Sequence, residues 1–137
     1  MGRFDGKVIL ITGGGSGLGR LCALQWAAEG ASVVVTDVIE QRAHVVAAQI
    51  NDEGGKALAV KADVGVEADI EAAVAATVAK YGRLDIMFAN AGKAPAGMGT
   101  IPLEDTSEAD WDDVNDVVYK NAFFAGKHAC RQMKTQA

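Results

Sequence analysis

The sequence lacks the features that mark membrane proteins and nucleic-acid-binding proteins. No stretch approaches the roughly eighteen apolar residues that a membrane-spanning helix needs, and residues 1–7 hold no apolar run behind a basic start. The net charge of −5 argues against nonspecific attraction to nucleic acid or to an anionic membrane. We therefore expect a cytoplasmic protein with no nucleic-acid partner and no membrane contact.

Cysteine and histidine are scarce, with two residues of each. Cys22 and Cys130 belong to no CxxC or Cys/His grouping, which favours buried reduced thiols over a disulfide. His44 and His128 lie far apart with no ligand pattern nearby, which favours surface or satisfied histidines over metal ligands. The sequence predicts no metal site.

The residues that are abundant fit one globular domain. Half of the 137 residues are apolar and 23% are charged, and no repeat, low-complexity tract or linker interrupts them. Seven acidic residues, with no lysine or arginine among them, lie between residues 101 and 118. We interpret this cluster as a solvated loop and the first turns of a helix, where acids favour the helix dipole, in preference to a metal or partner site.

The most informative pattern is a glycine-rich turn near the N-terminus. Val8 to Ile11 reads as a buried strand, and a helical pattern ending near Gly30 follows the turn. Glycines let backbone amides approach a pyrophosphate, and a helix N-terminus supplies unpaired N–H groups. A flexible glycine linker would not lie between a buried strand and an amphipathic helix. We predict that this helix buries the face with Leu18, Leu21, Cys22 and the region of Ala28.

The spacing of these glycines carries a family resemblance. G-x-x-x-G-x-G differs from the commonest dinucleotide fingerprint, G-x-G-x-x-G. However, residues 12–19, TGGGSGLG, match the T-G-x-x-x-G-x-G signature of the short-chain dehydrogenase/reductase family, and the chain resembles that family over about residues 4–133. The resemblance implies that the turn binds a dinucleotide cofactor through Gly13, Gly15, Ser16, Gly17, Leu18 and Gly19.

An acidic residue ends the second predicted strand. Asp37 follows Gly19 by 18 residues, where a dinucleotide-binding fold places an acid to accept hydrogen bonds from the adenine-ribose hydroxyls. This carboxylate would repel a 2′-phosphate, and neither Ser16 nor Val38 supplies a cation for it. The sequence therefore favours NAD over NADP. The alternative is that Asp37 only caps a helix or is solvated.

Two further strand ends add candidate site residues. Asp63 and Val64 follow a predicted strand at residues 57–61, and the resemblance implies that they lie against the adenine, with Asp63 accepting from its amino group. Asn90, Ala91 and Gly92 follow a strand at residues 86–89 and resemble the family's N-N-A-G motif with Ala89 in place of the first Asn. Asn90 would then brace the central strands. The alternatives are a turn-capping Asp63 and an ordinary turn at residues 90–92.

Strands alternating with helices define the predicted fold. We expect helices at residues 41–53, with Val45, Val46, Ala47 and Ile50 on one stripe, and at residues 67–80. A loop at residues 93–106 precedes a last helix that Ser107 and Asp110 cap. Its predicted buried face holds Trp111, Val114, Val118, Ala122, Ala125, Ala129 and Met133. The result is an α/β, Rossmann-like, doubly wound parallel sheet in strand order 3-2-1-4, with a ligand crevice between strands one and four.

The catalytic residues of the family are missing from the sequence. The resemblance implies a Ser after a fifth strand and a Tyr-x-x-x-Lys pair, but Tyr81 is followed by Asp85 and Tyr119 by Phe123 at that spacing. An unassisted Tyr has a pKa about three units from neutrality, roughly 4 kcal/mol, and is a poor base. Val118 stands where the family carries a catalytic-relay Asn. Asn115 and Asn121 lie one helical turn to either side, and whether either substitutes stays open.

These observations predict a single domain over residues 1–137, equivalent to the N-terminal, NAD-binding portion of a short-chain dehydrogenase. Members of the family run to roughly 250 residues, so the resemblance implies that the chain stops before the fifth strand. An alcohol or ketone would be the substrate once a second half is supplied. The alternative is a non-catalytic nucleotide-binding or interaction module. We also expect self-association, a homo-oligomer formed through the open fourth strand and the last helix.

Overall fold

The computed structural model describes residues 2–95, 97 and 100–136. Eight main elements alternate along the chain: β1 Val8–Ile11, α1 Gly17–Ala28, β2 Ser32–Asp37, α2 Glu40–Asp52, β3 Lys56–Lys61, α3 Glu67–Tyr81, β4 Ile86–Phe88 and α4 Glu108–Lys134. The strands form one parallel sheet in the order β3-β2-β1-β4, which confirms the predicted topology. The fourth strand ends one residue earlier than predicted.

The sheet is covered by helices on both faces. Ile9 of β1 is paired with Val33 of β2 and Ile86 of β4, so β1 lies at the centre and is buried along its whole length. Odd-numbered residues of β1 and β2 pack against α1 and α2, whereas Leu10 and Val34 pack against α3 and α4. Burial on both faces explains why β1 and β2 read as continuous apolar runs.

The buried face of α1 differs from the prediction. Leu18 and Leu21 are 62% and 60% exposed, whereas Gly19, Ala23 and Ala27 are buried. A Cβ atom added at Gly19 would lie 2.3 Å from the Gly13 carbonyl oxygen, so the helix approaches the glycine turn too closely for a larger side chain. The small residues therefore face the sheet, and the leucines lie outside.

The next two helices follow their predicted patterns more closely. Helix α2 buries Ala43, Val46, Ala47 and Ile50, but the predicted Val45 is exposed. Helix α3 buries Ile70, Ala73, Val74 and Thr77 on one face, and it ends at Gly82 with φ of +80°. Cys22 is half-buried and Cys130 is exposed, so the expectation of two buried thiols is wrong for Cys130; both cysteines are free.

Helix α4 begins as predicted but turns a different face inward. The Asp110 N–H donates to the Ser107 hydroxyl at 3.1 Å and the Ser107 N–H to the Asp110 carboxylate at 3.2 Å, which is the predicted capping box. Trp111 is 66% exposed and Val118 and Ala122 are also exposed, whereas Asn121, Ala125, His128 and Ala129 are buried. Two polar residues are buried because other elements supply their hydrogen-bond partners.

The predicted loop at residues 93–106 falls partly on residues 96, 98 and 99, which lie outside the described residues. Its described part consists of irregular backbone, turns and a single 3-10 turn at Leu103–Asp105.

Candidate functional site

A cleft of about 620 Å³ lies at the carboxyl ends of the strands. It is the place where a parallel sheet with helices on both faces binds ligands. The sequence-predicted residues that line it are Gly13, Ser16, Gly17, Leu18, Asp37, Asp63, Val64, Asn90, Ala91 and Gly92. The remaining two, Gly15 and Gly19, lie directly behind the lining and pack against Asp37 and Asn90 respectively. Residues from four separate strand ends are thus brought together.

The glycine turn is pressed between its neighbouring strands. Gly13 and Gly17 have φ values of +63° and +52°, which residues other than glycine rarely adopt. A Cβ at Gly13 would lie 2.9 Å from the Ala91 Cα, and the Gly14 N–H donates to the Thr36 carbonyl at 2.8 Å. The glycine turn is therefore packed closely against residues at the carboxyl ends of the strands on both of its sides.

The N-terminus of α1 faces this cleft without a local anionic partner. Ser16 occupies the N-cap position but makes no side-chain hydrogen bond to the first turn, and that turn contains no acidic residue. Ser16, Gly17 and Leu18 all line the cleft. Because the first N–H groups of a helix carry positive partial charge, this end of the cleft suits an anionic group such as a phosphate.

Asp37 is held in place by the backbone around it. Asp37 is only 6% exposed. Its Oδ2 accepts from the Gly15 N–H at 3.1 Å, and its Oδ1 accepts from the Ile39 N–H at 3.0 Å. A carboxylate has more acceptor positions than these two bonds use. Asp37 can therefore accept further hydrogen bonds from a ligand in the cleft.

Asn90 joins the segment after β4 to the end of β1. Its Nδ2 donates to the Thr12 carbonyl at 3.0 Å and to the Gly13 carbonyl at 3.3 Å. This geometry corresponds to the bracing role that the N-A-G motif predicts. The contact holds the glycine turn beside residues 90–92 across 77 and 78 positions of sequence.

Asp63 caps a turn, which is the alternative that the sequence left open, and it also lies in the cleft wall. Its Oδ1 accepts from the Gly65 N–H at 2.8 Å, and its own N–H donates to the Asp69 carboxylate at 2.9 Å, so the residue does cap the turn before α3. It also lines the cleft together with Val64. The turn bond uses one carboxylate oxygen, which leaves the second as an acceptor.

Six further residues that the sequence did not predict as site residues line the cleft: Val38, Arg42, Ala62, Lys93, Asp113 and Val117. Arg42 lines the same cleft as Asp37, and a Cβ at Gly15 would lie 2.5 Å from the Arg42 Cβ and 2.7 Å from the Asp37 Oδ2, so a cationic residue that the sequence reasoning had not considered belongs to this part of the cleft. The signal was an arginine in the first turn of the helix after β2. Lys93 forms an ion pair with Asp113 of α4, and nothing local in the sequence indicates that contact.

Comparison with known proteins identifies the family. The model of the short chain dehydrogenase family matches residues 7–137. The chain belongs to the short-chain dehydrogenases. This is an oxidoreductase family with an NAD(P)-binding Rossmann fold, and the parallel sheet described above is that Rossmann-like, doubly wound architecture.

Individual short-chain dehydrogenases match almost the whole chain. An oxidoreductase of Thermotoga maritima is 41% identical over 97% of this chain and 51% of its own length, and tropinone reductase-like 1 of Erythroxylum coca is 40% identical over 98% and 48%. The 3-ketoacyl-(acyl-carrier-protein) reductase of Brucella melitensis, solved with NADH, superposes with a TM-score of 0.85 at 36% identity, covering 96% of this chain and 52% of that one. The chain thus spans about half the length of the relatives it matches.

The described residues that line the cleft include no tyrosine that could serve as the family's catalytic base. Neither Tyr81 nor Tyr119 lines it. Tyr81 packs against the α3 and α4 side of the core, and burial raises the pKa of its phenol, so that still less of it is in the deprotonated, basic form at neutral pH.

The two asparagines of α4 differ in how fully they are hydrogen-bonded. Val118, which stands at the position of the family's relay residue, is exposed. The Asn115 Nδ2 donates to the Trp111 carbonyl within α4 at 2.8 Å, and both polar atoms of Asn121 are bonded inside the protein. The hydrogen bonding thus gives no support to Asn121 as the substitute.

Two other kinds of site are absent from the described part of the chain. Within residues 2–95, 97 and 100–136, no three His, Cys, Asp or Glu side chains are grouped closely enough to hold a metal ion. The same residues contain no helix of the length and apolar character needed to cross a bilayer.

Proposed function

We propose that this chain is the NAD-binding portion of a short-chain dehydrogenase, a single domain over residues 1–137 that serves hydride transfer between NAD and an alcohol or ketone. The observation that carries the proposal is the convergence of four strand ends on one cleft. The proposed cofactor contacts are Gly13, Gly15, Ser16, Gly17, Leu18, Gly19, Asp37, Asp63, Val64, Asn90, Ala91 and Gly92.

Each part of the cleft suits a different part of a dinucleotide. The uncapped N-terminus of α1 would bind the pyrophosphate, and Asp37 would accept hydrogen bonds from the adenine-ribose hydroxyls. Asp63 and Val64 would lie against the adenine. When bound, NAD supplies the hydride acceptor, while the chain's own residues bind and orient it.

The cofactor preference depends on two opposite charges. Asp37 is buried and anchored, so its carboxylate would lie close to a 2′-phosphate and repel it, whereas Arg42 would attract that phosphate. We propose that Asp37 dominates and that NAD is preferred. The Brucella relative was solved with NADH, which supports this choice.

Isothermal titration calorimetry with NADH and with NADPH tests the proposal by measuring the dissociation constant of each nucleotide. We expect saturable NADH binding that is tighter than NADPH binding, and we expect Asp37→Ala to weaken it by about tenfold, the effect of one or two charged hydrogen bonds. Arg42→Gln is the matched control and should leave NADH binding unchanged. Tighter binding of NADPH that disappears in Arg42→Gln would reverse the proposed preference. The absence of binding to either nucleotide by a folded chain would refute the proposed function.

The alternative is a nucleotide-binding or interaction module that performs no hydride transfer. Under this alternative, the chain binds a nucleotide or a partner through the same cleft and carries no catalytic tyrosine of its own. We expect no alcohol oxidation by this chain alone. If the coding sequence reads in frame past Ala137 into a Ser-containing strand and a Tyr-x-x-x-Lys pair, the oxidoreductase reading is supported; an authentic stop codon there supports the alternative.

A second copy of this chain is the proposed partner. Helix α4 exposes Trp111, Val118, Tyr119 and Phe123. Its residues 108–118 carry five acids and no base, and residues 119–134 carry four Lys or Arg and no acid, so two antiparallel copies of α4 would pair opposite charges. Strand β4 pairs only with β1 among the described residues, and its open edge is the second proposed contact.

Light scattering after size-exclusion chromatography tests this association. We expect a dimer that Phe123→Glu converts to a monomer and that Leu21→Glu, an equally exposed site on α1, leaves intact. A wild-type monomer would contradict the proposal. The cytoplasmic location also stays a prediction, which fractionation of expressing cells would check.

A further inference from the structure

A closed ring of hydrogen bonds lies beneath the cleft. The Thr12 hydroxyl donates to the Asn121 Oδ1 at 3.0 Å, and the Asn121 Nδ2 donates to the Ala91 carbonyl at 2.8 Å. The Ala91 N–H closes the ring by donating to the Thr12 hydroxyl oxygen at 3.1 Å. Three elements are joined in this way: the end of β1, the segment after β4, and α4.

The orientation of the Asn121 amide follows from its partners. The Thr12 hydroxyl has one proton, and because its oxygen already accepts from Ala91, that proton points to Asn121. The Ala91 carbonyl can only accept, so it must face the Nδ2 group. Asn121 is 2% exposed, and leaving these buried groups unpaired would carry a desolvation cost.

The ring lies beside the closest approach of the two cleft segments. Thr12 directly precedes Gly13, and a Cβ at Gly13 would lie 2.9 Å from the Ala91 Cα. Gly13 and Ala91 both line the cleft. A change in the separation of Thr12 from Ala91 therefore changes the width of the cleft.

We propose that Asn121 is a positioning residue for the cleft, which holds the glycine turn and residues 90–92 at the spacing that a dinucleotide requires. The inference rests on the proposed function for the identity of the ligand, but not for the ring itself. Asn121 acts through Thr12 and Ala91 and is not a relay residue, because both of its polar atoms are bonded inside the protein.

The test combines substitutions that break the ring with a control that does not. Asn121→Leu removes both amide bonds at similar volume, and Thr12→Val removes the hydroxyl, whereas Thr12→Ser keeps it. Thr77→Val is the control for a lost buried hydroxyl, since Thr77 is fully buried and donates to the Ala73 carbonyl at 2.8 Å within α3, away from the cleft. Urea denaturation first shows which variants are fully folded. Titration calorimetry then measures the dissociation constant of NADH for each folded variant.

Amide hydrogen exchange at residues 13–15 and 90–92 is measured in the ligand-free chain as a second readout. We expect Asn121→Leu and Thr12→Val each to raise the dissociation constant by about tenfold, and the double variant by little more, since either change already opens the ring. Amide exchange at both segments should be about tenfold faster in Asn121→Leu and in Thr12→Val than in Thr77→Val. Thr12→Ser and Thr77→Val should bind NADH within about twofold of wild type.

The two readouts separate this inference from the proposed function. If the wild-type chain binds no dinucleotide, the proposed function fails, and the exchange rates alone decide whether Asn121 positions the two segments. Wild-type affinity together with exchange no faster than in Thr77→Val would overturn the inference. If Asn121→Leu does not fold, the comparison of Thr12→Val with Thr12→Ser decides the same question.

Discussion

Replacing Gly19 with alanine should destabilise the chain although alanine is the better helix former. Gly19 lies in α1, where alanine is favoured over glycine by about 1 kcal/mol in an exposed helix. At this position the added Cβ would lie 2.3 Å from the Gly13 carbonyl oxygen and 2.6 Å from the Asn90 Nδ2. The first distance is about 0.7 Å shorter than the closest contacts that Cβ atoms make.

Neither obstructing atom can move freely. The Gly13 oxygen belongs to a backbone turn at φ +63°, and the Asn90 amide is bonded to both Thr12 and Gly13. Overpacking of this kind costs about 1–3 kcal/mol, and displacing the Asn90 amide costs about 1 kcal/mol more. After the gain in helix propensity, we expect Gly19→Ala to lower the free energy of unfolding by about 2 kcal/mol.

Gly126 provides the matched control. It lies in the middle of α4, and a Cβ added there meets no atom within 4 Å. Gly126→Ala should therefore raise the free energy of unfolding by about 0.5–1 kcal/mol. Urea denaturation followed by circular dichroism measures both variants. If Gly19→Ala is as stable as wild type, the close approach of α1 to the glycine turn is not as described.

Three further substitutions have defined outcomes. Glu67→Gln should lower the melting temperature at about pH 7, and its difference from wild type should shrink as the pH falls below 4.5. The Lys127 and His128 hydrogen bonds lower the pKa of Glu67 below its usual 4.5, so its contribution is present above that value and is lost as the pH falls through the lowered pKa. Asp85→Asn should lower the free energy of unfolding by about 1–2 kcal/mol in urea titrations, because it removes the charge that pairs with Arg83 and weakens the hydrogen bond that Asp85 accepts from the Val8 N–H at 2.9 Å. Ser107→Ala should cost about 1 kcal/mol and accelerate amide exchange at Asp110, since it removes the N-cap of α4.

Each of these substitutions has an outcome that would contradict its reasoning. A pH-independent effect of Glu67→Gln would mean that the ion pairs with α4 do not stabilise the fold. An Asp85→Asn variant as stable as wild type would mean that burial, which by itself raises the pKa of Asp85, outweighs its bonds to Arg83 and Val8. Unchanged exchange at Asp110 in Ser107→Ala would mean that the capping box does not hold the first turn.

The sheet order and the cleft could be predicted from the sequence because both follow from local patterns. Each buried strand ends at a turn residue, and parallel strands bring such ends to one edge of the sheet. The residues after β1, β2 and β4 therefore meet in one place once the order 3-2-1-4 is known. No contact between distant side chains is needed for that step.

The buried faces of the helices were harder to predict. Where a helix lies close to another segment, the size of an apolar side chain does not indicate whether that side chain is buried. Leu18 and Leu21 are the large apolar residues of α1, yet Gly19 and Ala23 face the sheet because only small residues fit there. The sequence contains the glycines, but it does not show which of them touches the turn.

Buried polar residues were missed for a different reason. Asn121 and His128 are buried because Thr12, Ala91 and Glu67 supply their hydrogen bonds. These partners lie 30 to 109 residues away in sequence, so no periodic pattern within α4 can reveal them. Arg42 was missed for another reason: only Ser16 and Val38 were considered as sources of a cation, although Arg42 lies in the first turn of α2, directly after β2.

The ring that joins Thr12, Ala91 and Asn121 also ties ligand binding to the unfolding of the entire chain. Because its members are up to 109 residues apart, the cleft exists only when the whole sheet and α4 are assembled. A ligand that binds there has no affinity for the unfolded chain, and at a free concentration of one hundred times its dissociation constant it stabilises the folded state by about 2.7 kcal/mol. A shift in melting temperature across a panel of nucleotides would therefore rank their affinities for this chain without any turnover.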